Sequence, residues 1–450
     1  MVDITLIFPY FNDDSSIFKF PPLGIGYIAA NLRENGFSVN VVDCTFLTEE
    51  EVVAKAKAGN PRVIGIYSML SMKDAAIHLA RRLKDACELL IVGGPLPTTS
   101  PQAFLGPFDY VVLGEAEDTV LELMKTIDRG SDLTTVPGLA YLKDGLGMVA
   151  LTGPRRPRYD LDSLPFPARE LYDHNAYKSY YQAHHGYTIT SMITSRGCPF
   201  DCDFCSRPIF GRTFRSRSPK NIVDEMEVIA GYGYERIWLA DDIFPLNRKI
   251  GLAVCDEIVK RGLDIEWECL CRADIMDYEL ARRMRRAGCV RVFFGLESGN
   301  DRVLRLMNKR LTVEKSRRAV HAVDAAGIRA GAFFILGYPG ETNETMLDTI
   351  RFASSLPLDY FSFTIPYPIP GTGLYEKLKG RIIVDEWRKP RRGRYKHRLI
   401  YKSEFSPWKL RFGITKAHLQ ARMRRRLGSG YRLVGPVFEK ATDLIFRAMR

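Results

Sequence analysis

The chain has 450 residues, 46% hydrophobic and 26% charged, which is enough for two or three packed domains. Its formal charge of +12 is uneven: residues 381–450 carry 20 Lys and Arg against 5 Asp and Glu, which leaves residues 1–380 at −3. No apolar run approaches twenty residues, and the opening "MVDITLIFPYFNDD" lacks the pattern of a signal peptide, so neither a transmembrane helix nor export is expected and the cytoplasm is the expected location.

Residues 1–135 alternate strand and helix patterns. "DITLIFPY", "SVNVVD", "VIGIYSML", "LLIVGGP" and "YVVLGEAE" are short β-branched runs, and amphipathic stretches such as "LGIGYIAANLRENG" and "MKDAAIHLARRLKDA" lie between them. Five such β-α units predict a doubly wound, Rossmann-like parallel sheet. Ligands on these sheets sit beyond the carboxyl ends of the strands. Here those ends are turn-rich: Pro9 and Asn12, Ser68, Gly93-Gly94-Pro95, and Gly114-Glu115.

Residues 136–186 read as a hairpin turned at Asp144-Gly145 followed by a Pro-rich linker. From 187 to 378 the alternation returns. "YTITSMIT", "RIWLADDIF", "IEWECLCRAD", "VRVFFGLESG", "AGAFFILGYPG" and "YFSFTIPYP" predict a partial (β/α)6 barrel, with its chemistry at the carboxyl ends of the strands. Residues 379–450 form a basic, mainly helical C-terminal region containing "LQARMRRRLGSGYR" and the amphipathic "PVFEKATDLIFRAMR".

Three cysteines follow the first barrel strand. Cys198, Cys202 and Cys205 stand in "TSRGCPFDCDFCSRP" at C-x3-C-x2-C spacing. In a reducing compartment such thiols point to a metal or to catalysis rather than to disulfides. Structural zinc needs four ligands, and the next cysteine is Cys255. The flanking Gly197, Pro199, Asp201 and Asp203 make a polar loop unsuited to buried core thiols. Three thiolates on a [4Fe–4S] cluster would leave one iron open to substrate. Cys44, Cys87, Cys255, Cys269, Cys271 and Cys289 lie in strand and helix patterns and read as core thiols.

"CPFDCDFC" matches the signature of the radical S-adenosylmethionine (SAM) enzymes. With the preceding sheet, the chain over about residues 1–375 resembles their cobalamin-binding branch, which includes the anaerobic magnesium-protoporphyrin ester cyclase and many C-methyltransferases. The resemblance implies a [4Fe–4S] cluster held by the three cysteines, SAM chelated by the open iron, cobalamin on the first sheet, and an external electron donor of flavodoxin or ferredoxin type. It places Phe204 near the SAM adenine. Asp241 or Asp242 would meet the amino group, with N-capping of the next helix as the plain alternative. Arg272 would meet the carboxylate, Glu297 and Ser298 the ribose, and Gly337 the adenine through close approach.

For cobalamin the resemblance implies contacts at Ser68 and Met69, at Gly93 and Gly94, and at Gly114 and Glu115. Capping of the helix after residue 117 is the alternative for Glu115. The D-x-H-x-x-G motif that supplies a cobalt ligand in many cobalamin domains is missing from "FPYFNDDSSIF", and Leu96 replaces a frequent histidine. His184-His185 have no further ligands beside them in sequence and read as linker residues.

The implied function is methylation of an unactivated carbon, with a peptide or protein side chain as the expected substrate and a lipid next. Two alternatives stand beside it: a cyclase or lipid-modifying enzyme using the same cofactors, and a non-catalytic iron–sulfur binding protein. For the Arg-rich tail, an acidic partner, the substrate or an anionic membrane surface are the expected contacts. Nucleic acid is disfavoured because no aromatic platform accompanies the charge.

Overall fold

The computed structural model describes residues 2–10, 19–143, 147–383 and 400–449. Asn12, the Asp144-Gly145 turn and His397 lie outside them. By internal packing the chain forms two units. One comprises residues up to Pro199 together with Arg207–Ile237, and the other Phe200–Ser206 with the described chain from Trp238 on.

The first unit opens with β1 (Ile4–Phe8), α1 (Leu23–Glu34), β2 (Val39–Asp43), α2 (Glu49–Lys57), β3 (Val63–Tyr67), α3 (Lys73–Leu83), β4 (Leu89–Gly93), α4 (Pro95–Thr99), β5 (Tyr110–Val112) and α5 (Glu117–Asp128). The hairpin β6 (Leu139–Lys143) and β7 (Met148–Leu151) follows. Strand order is β2-β1-β3-β4-β5-β6-β7. The pairs from β2 to β5 are parallel, and β6 and β7 add antiparallel.

Alternation along each strand builds two cores. Ile4, Leu6, Val63, Ile91 and Val112 pack with α1 and α5 on one face. Ile7, Ile64, Ile66, Leu90, Val92 and Val111 pack on the other with residues of α2 and α3. Neighbouring residues of one strand thus serve opposite helical layers, as expected of a sheet covered on both faces.

The same unit continues through α6 (His174–His185), β8 (Ile189–Met192), β9 (Ser195–Arg196), β10 (Arg215–Ser216) and α7 (Pro219–Gly231). His184 and His185 therefore occupy the last turn of a helix, where the sequence reads as linker. Asp173 caps α6 through its side chain, and Gly186 ends it in the left-handed conformation. Tyr177 and Tyr181 anchor its buried face.

Next come β11 (Arg236–Leu239), α8 (Arg248–Arg261), β12 (Glu266–Cys271), α9 (Tyr278–Arg286), β13 (Cys289–Glu297), α10 (Asp301–Leu306), α11 (Val313–Ala325), β14 (Arg329–Ile335), α12 (Asn343–Ser355), β15 (Tyr360–Thr364), α13 (Gly373–Leu378), α14 (Pro407–Leu427) and α15 (Tyr431–Ala448). The second sheet has the order β8-β11-β12-β13-β14-β15, each strand beside its successor in sequence. β12 to β15 pair in parallel. A side-chain N-cap opens each helix from α7 to α14: Ser218, Asn247, Asp277, Asn300, Thr312, Thr342, Thr372 and Ser406. These residue types stop a strand-to-helix loop by accepting from orphan backbone amides. Cys255, Cys269, Cys271 and Cys289 are buried, and so is Cys44, whereas Cys87 is half-buried.

One charge cluster lies deep in the first unit. Glu225 of α7 is fully buried and accepts from Arg169 Nη2 at 2.5 Å and from Arg217 Nη1. Arg169 also donates to Ser191 O at 2.9 Å, and Arg217 to Ile193 O at 2.8 Å. Removing the carboxylate leaves two guanidinium groups buried and short of a counter-charge. Glu225→Gln is therefore expected to lower the unfolding free energy by about 3–5 kcal/mol, read as a drop in the urea midpoint.

Candidate functional site

The cysteines lie on the loop joining β9 and β10, which pair antiparallel through Arg196 with Arg215 and Ser195 with Ser216. In the first unit, Gly197 turns the chain with φ +83°, and a Cβ there would stand 2.3 Å from Thr213 O. Only glycine fits that turn. Cys198 follows, its N–H donating to Gly211 O at 3.2 Å and its carbonyl accepting from Arg207 at 3.2 Å.

The stretch Phe200–Ser206 belongs to the second unit, which holds it at several points. Arg272 lies over the Phe200 ring at 3.6 Å. Asn308 Nδ2 donates to Asp201 O at 2.7 Å, and Asp203 N donates to Met307 O at 3.0 Å. The Asp203 carboxylate accepts from the Tyr338 hydroxyl at 2.5 Å and from Lys377 at 2.9 Å. Leu374 N donates to the Asp203 carbonyl at 2.9 Å. Cys205 N donates to Cys202 O at 3.2 Å, a tight turn between the two thiols. Burial and the Asp203 carboxylate hold the Tyr338 phenol far above its ordinary pKa, so it stays a donor.

None of the three cysteines is in a disulfide, and all are half-buried. Among the described residues, no three His, Cys, Asp or Glu form a group that could hold a metal ion. Three soft, accessible donors on a loop fixed by its surroundings suit an iron–sulfur cluster.

The expected SAM contacts stand around strand ends of the second unit. Asp241 is buried and Asp242 exposed, two and three residues beyond β11. The Arg272 guanidinium pairs with Asp274 through Nε and Nη2 at 3.0 Å each, and Nη2 also donates to Lys309 O at 3.1 Å. In this structure it fastens the loop and its neighbours. Glu297 ends β13 with φ +64° and is salt-bridged to Lys309 at 2.9 Å. A left-handed, buried glutamate at a strand end is the kind of backbone strain that collects at functional sites. Lys309 also lies 5.7 Å from the Phe204 ring. Ser298 is buried, its hydroxyl sharing a 3.0 Å bond with Thr349 and accepting from Asn300 N.

Gly337 has φ +83°, and a Cβ there would stand 2.7 Å from Leu410 Cδ2. Its N–H and that of Tyr338 both donate to Glu341 Oε2, at 2.7 and 2.8 Å. Sequence reading takes Glu341 as the start of the next helix. The structure shows it holding the turn after β14, with its pKa pushed up to about 7 by burial.

The expected cobalamin contacts lie in the first unit on the loops after β3, β4 and β5, and the first of these loops borders the point where chain direction diverges between β1 and β3. Ligands of open sheets bind at such a switch point. Ser68 is buried, and its N–H donates to Gly93 O at 2.8 Å; Met69 beside it is exposed. Gly94, at φ +118°, would place a Cβ 2.4 Å from Ser68 O, so these two loops touch backbone to backbone. At Gly93 and Gly114 a Cβ would meet only ordinary contacts, no nearer than 3.6 and 3.9 Å; Gly114 has φ +68° and its N–H on Thr98 Oγ1 at 3.0 Å. Small residues and one exposed thioether on three adjacent loops fit a large planar ring. Glu115 is engaged elsewhere: Arg196 and Arg215 each donate to it at 2.6 Å, while Arg196 also meets Glu117 at 2.6 Å. Neither arginine is singled out by any sequence pattern, and Asp203 had only its place inside the cysteine motif as a signal.

Residues 192–353 match the Radical SAM superfamily, and residues 14–124 match the B12 binding domain. An uncharacterized methyltransferase of Pyrococcus horikoshii is 33% identical over 380 residues, covering 82% of this chain and 81% of that one. The anaerobic magnesium-protoporphyrin IX monomethyl ester cyclase of Rubrivivax gelatinosus is 30% identical, covering 82% of this chain and 68% of its own. The fold matches that of the radical SAM methyltransferase TsrM from Kitasatospora setae, solved with cobalamin and a [4Fe–4S] cluster, at TM-score 0.72 and 20% identity, covering 84% of this chain and 75% of that one. With two cofactor regions on one chain and relatives aligned across both, the protein belongs to the cobalamin-binding branch of the radical SAM superfamily and uses a [4Fe–4S] cluster, SAM and cobalamin.

Proposed function

We propose that this enzyme methylates an unactivated carbon of an organic substrate, with a peptide or protein side chain as the substrate class. The observation that carries the methyl-transfer reading is the likeness, along 82% of the chain, to a relative named as a methyltransferase. The similarity to the Rubrivivax cyclase supports ring formation as the second reading. When bound, the cofactors supply hydrogen-atom abstraction and a transferable methyl group, which is chemistry that no side chain offers.

The chain's own residues bind, orient and shield. Cys198, Cys202 and Cys205 would hold the cluster, and the Asp203 anchor fixes the turn carrying the last two. Glu297, with Lys309 beside it, offers a buried carboxylate for hydroxyl donors. Asp241 and Asp242 offer carboxylates for an ammonium. The turn at Gly337 lets the Leu410 side chain pack directly on the strand end. Ser68, Met69, Gly93, Gly94 and Gly114 would seat the corrin, and Glu115 acts through Arg196 and Arg215 rather than on the ligand.

Methyl-deuterated SAM separates the two readings. Methyl transfer predicts label in the product, with one S-adenosylhomocysteine and one 5'-deoxyadenosine per methyl and two electrons drawn from an external donor. Deoxyadenosine with an unlabelled, oxidised product would mean cyclisation instead. Asp203→Ala is expected to speed iron loss to a ferrous chelator about tenfold, as is typical when an outer-sphere partner is removed, and an unchanged rate would remove the anchoring role.

Glu341 predicts a pH effect on stability. Its carboxyl titrates near 7 in the folded chain against 4.5 when exposed. The neutral form is the one the fold favours. Its stabilisation is full below about 4.5 and fades as pH rises through 7, a difference of roughly 3 kcal/mol. Urea midpoints measured from pH 5 to 8 should therefore fall more steeply for the wild type than for Glu341→Gln.

A further inference from the structure

Both acids of helix α15 face inward: Glu439 pairs with Arg424 at 2.9 Å and with the Tyr431 hydroxyl at 2.8 Å. Asp443 is buried, pairs with Lys416 at 2.9 Å and also meets Arg351. Thr442 accepts from Lys416 at 2.7 Å. The outward side is aliphatic: Leu433 is 81% exposed, Val437 71% and Leu444 59%, with Val434 and Ile445 also exposed. Leu433, Val437 and Leu444 recur at spacings of four and seven and Val434 and Ile445 flank them, so the five share one side of a helix of about 27 Å. Scattered exposed leucines need no explanation, but a continuous apolar ridge does.

The charge around the ridge has one sign. Residues 407–449 contain ten Lys and Arg against two Asp and Glu. The two acids are Glu439 and Asp443, both turned inward and paired. Arg422, Arg426, Arg432 and Lys440 are exposed. Lys440 is the charged residue nearest the ridge, and its four-carbon stem can lie along apolar surface while the ammonium reaches out. Trp408, at the start of α14, is 72% exposed. Lys409 beside it donates to Met449 O at 2.7 Å, which places that indole at the far end of α15.

We propose that the outward face of α15, with the exposed arginines of α14 and the connecting turn, docks this enzyme on an anionic lipid bilayer. The ridge carries exposed aliphatic residues, and exposed cations and an exposed indole lie on the same two helices. An interfacial helix lying in the headgroup plane needs these features: an aliphatic side to enter the acyl boundary and cations to meet anionic headgroups. The inward ion pairs keep the acids of α15 away from that surface. No helix among the described residues is long and apolar enough to cross a membrane, so the contact is a peripheral one. This inference is independent of the methyl-transfer reading.

The test is vesicle flotation of the full-length, cluster-loaded enzyme. Vesicles of phosphatidylcholine with phosphatidylglycerol in equal parts are compared with phosphatidylcholine alone, at low and high salt. The expected result is at least tenfold stronger binding to the anionic vesicles, weakened by salt. The triple variant Leu433→Asp, Val437→Asp, Leu444→Asp should lose that binding at least tenfold while keeping its iron content and circular dichroism, because these side chains stand in solvent. Arg422→Gln with Arg426→Gln and Arg432→Gln should erase the preference for anionic lipid. Three results would overturn the proposal: no flotation of the wild type, flotation undiminished in the aspartate variant, or a dimer in sedimentation that the aspartate variant dissolves, which would assign the ridge to a second copy.

Discussion

The three thiols stand on a stretch that is neither helix nor strand, so its shape has to come from what surrounds it. Here the constraint falls on Asp203, the residue between Cys202 and Phe204. Its carboxylate takes the Tyr338 hydroxyl and the Lys377 ammonium, and its backbone is bonded to Met307 and Leu374. Those partners come from the chain after β13, the turn after β14 and the start of α13. The loop is thus tied to successive strand-end segments of the second unit. The other expected contacts, Glu297, Ser298 and Gly337, lie on the same segments, so the geometry that fixes the thiols fixes them too.

Much of this was legible in the sequence because it depends on short-range pattern. Strand alternation locates the five parallel strands of the first sheet and the six of the second, and the cysteine spacing singles out its loop without help from tertiary structure. Helix α6 was read as linker because "YKSYYQAHHGY" is rich in tyrosine and histidine, which are weak helix formers. Its stability comes from burying Tyr177 and Tyr181, and sequence alone does not report that. Glu115 was expected on a ligand because it follows a strand-end glycine. Its partners Arg196 and Arg215 lie about 80 and 100 residues later, and nothing local announces an ion pair over that distance. Glu341 was hidden for a different reason. A glutamate four residues past a turn looks like any first-turn acid until its carboxylate is seen on the amides of Gly337 and Tyr338.

Charge also divides the chain along functional lines. The body is close to neutral, and its buried charges are matched in small closed sets, as in the Arg169–Glu225–Arg217 cluster and the Lys309–Glu297 pair. The last two helices pair their two acids with Arg424, Lys416 and Arg351 and leave Arg422, Arg426, Arg432 and Lys440 exposed. The composition shows the excess, but only the orientation of α15 shows which face carries it and what lies beside it.

The ion pairs of the β9–β10 ribbon bear on how the protein is made. A ribosome finishes the seven-stranded sheet at residue 151, when Glu115 and Glu117 still lack Arg196 and Arg215. At about 5–20 residues per second, several seconds pass before the ribbon emerges to neutralise them. Until then the nascent sheet presents uncompensated carboxylates on the loop after β5. The first unit therefore reaches its final electrostatic state only after synthesis has passed through the cysteine loop.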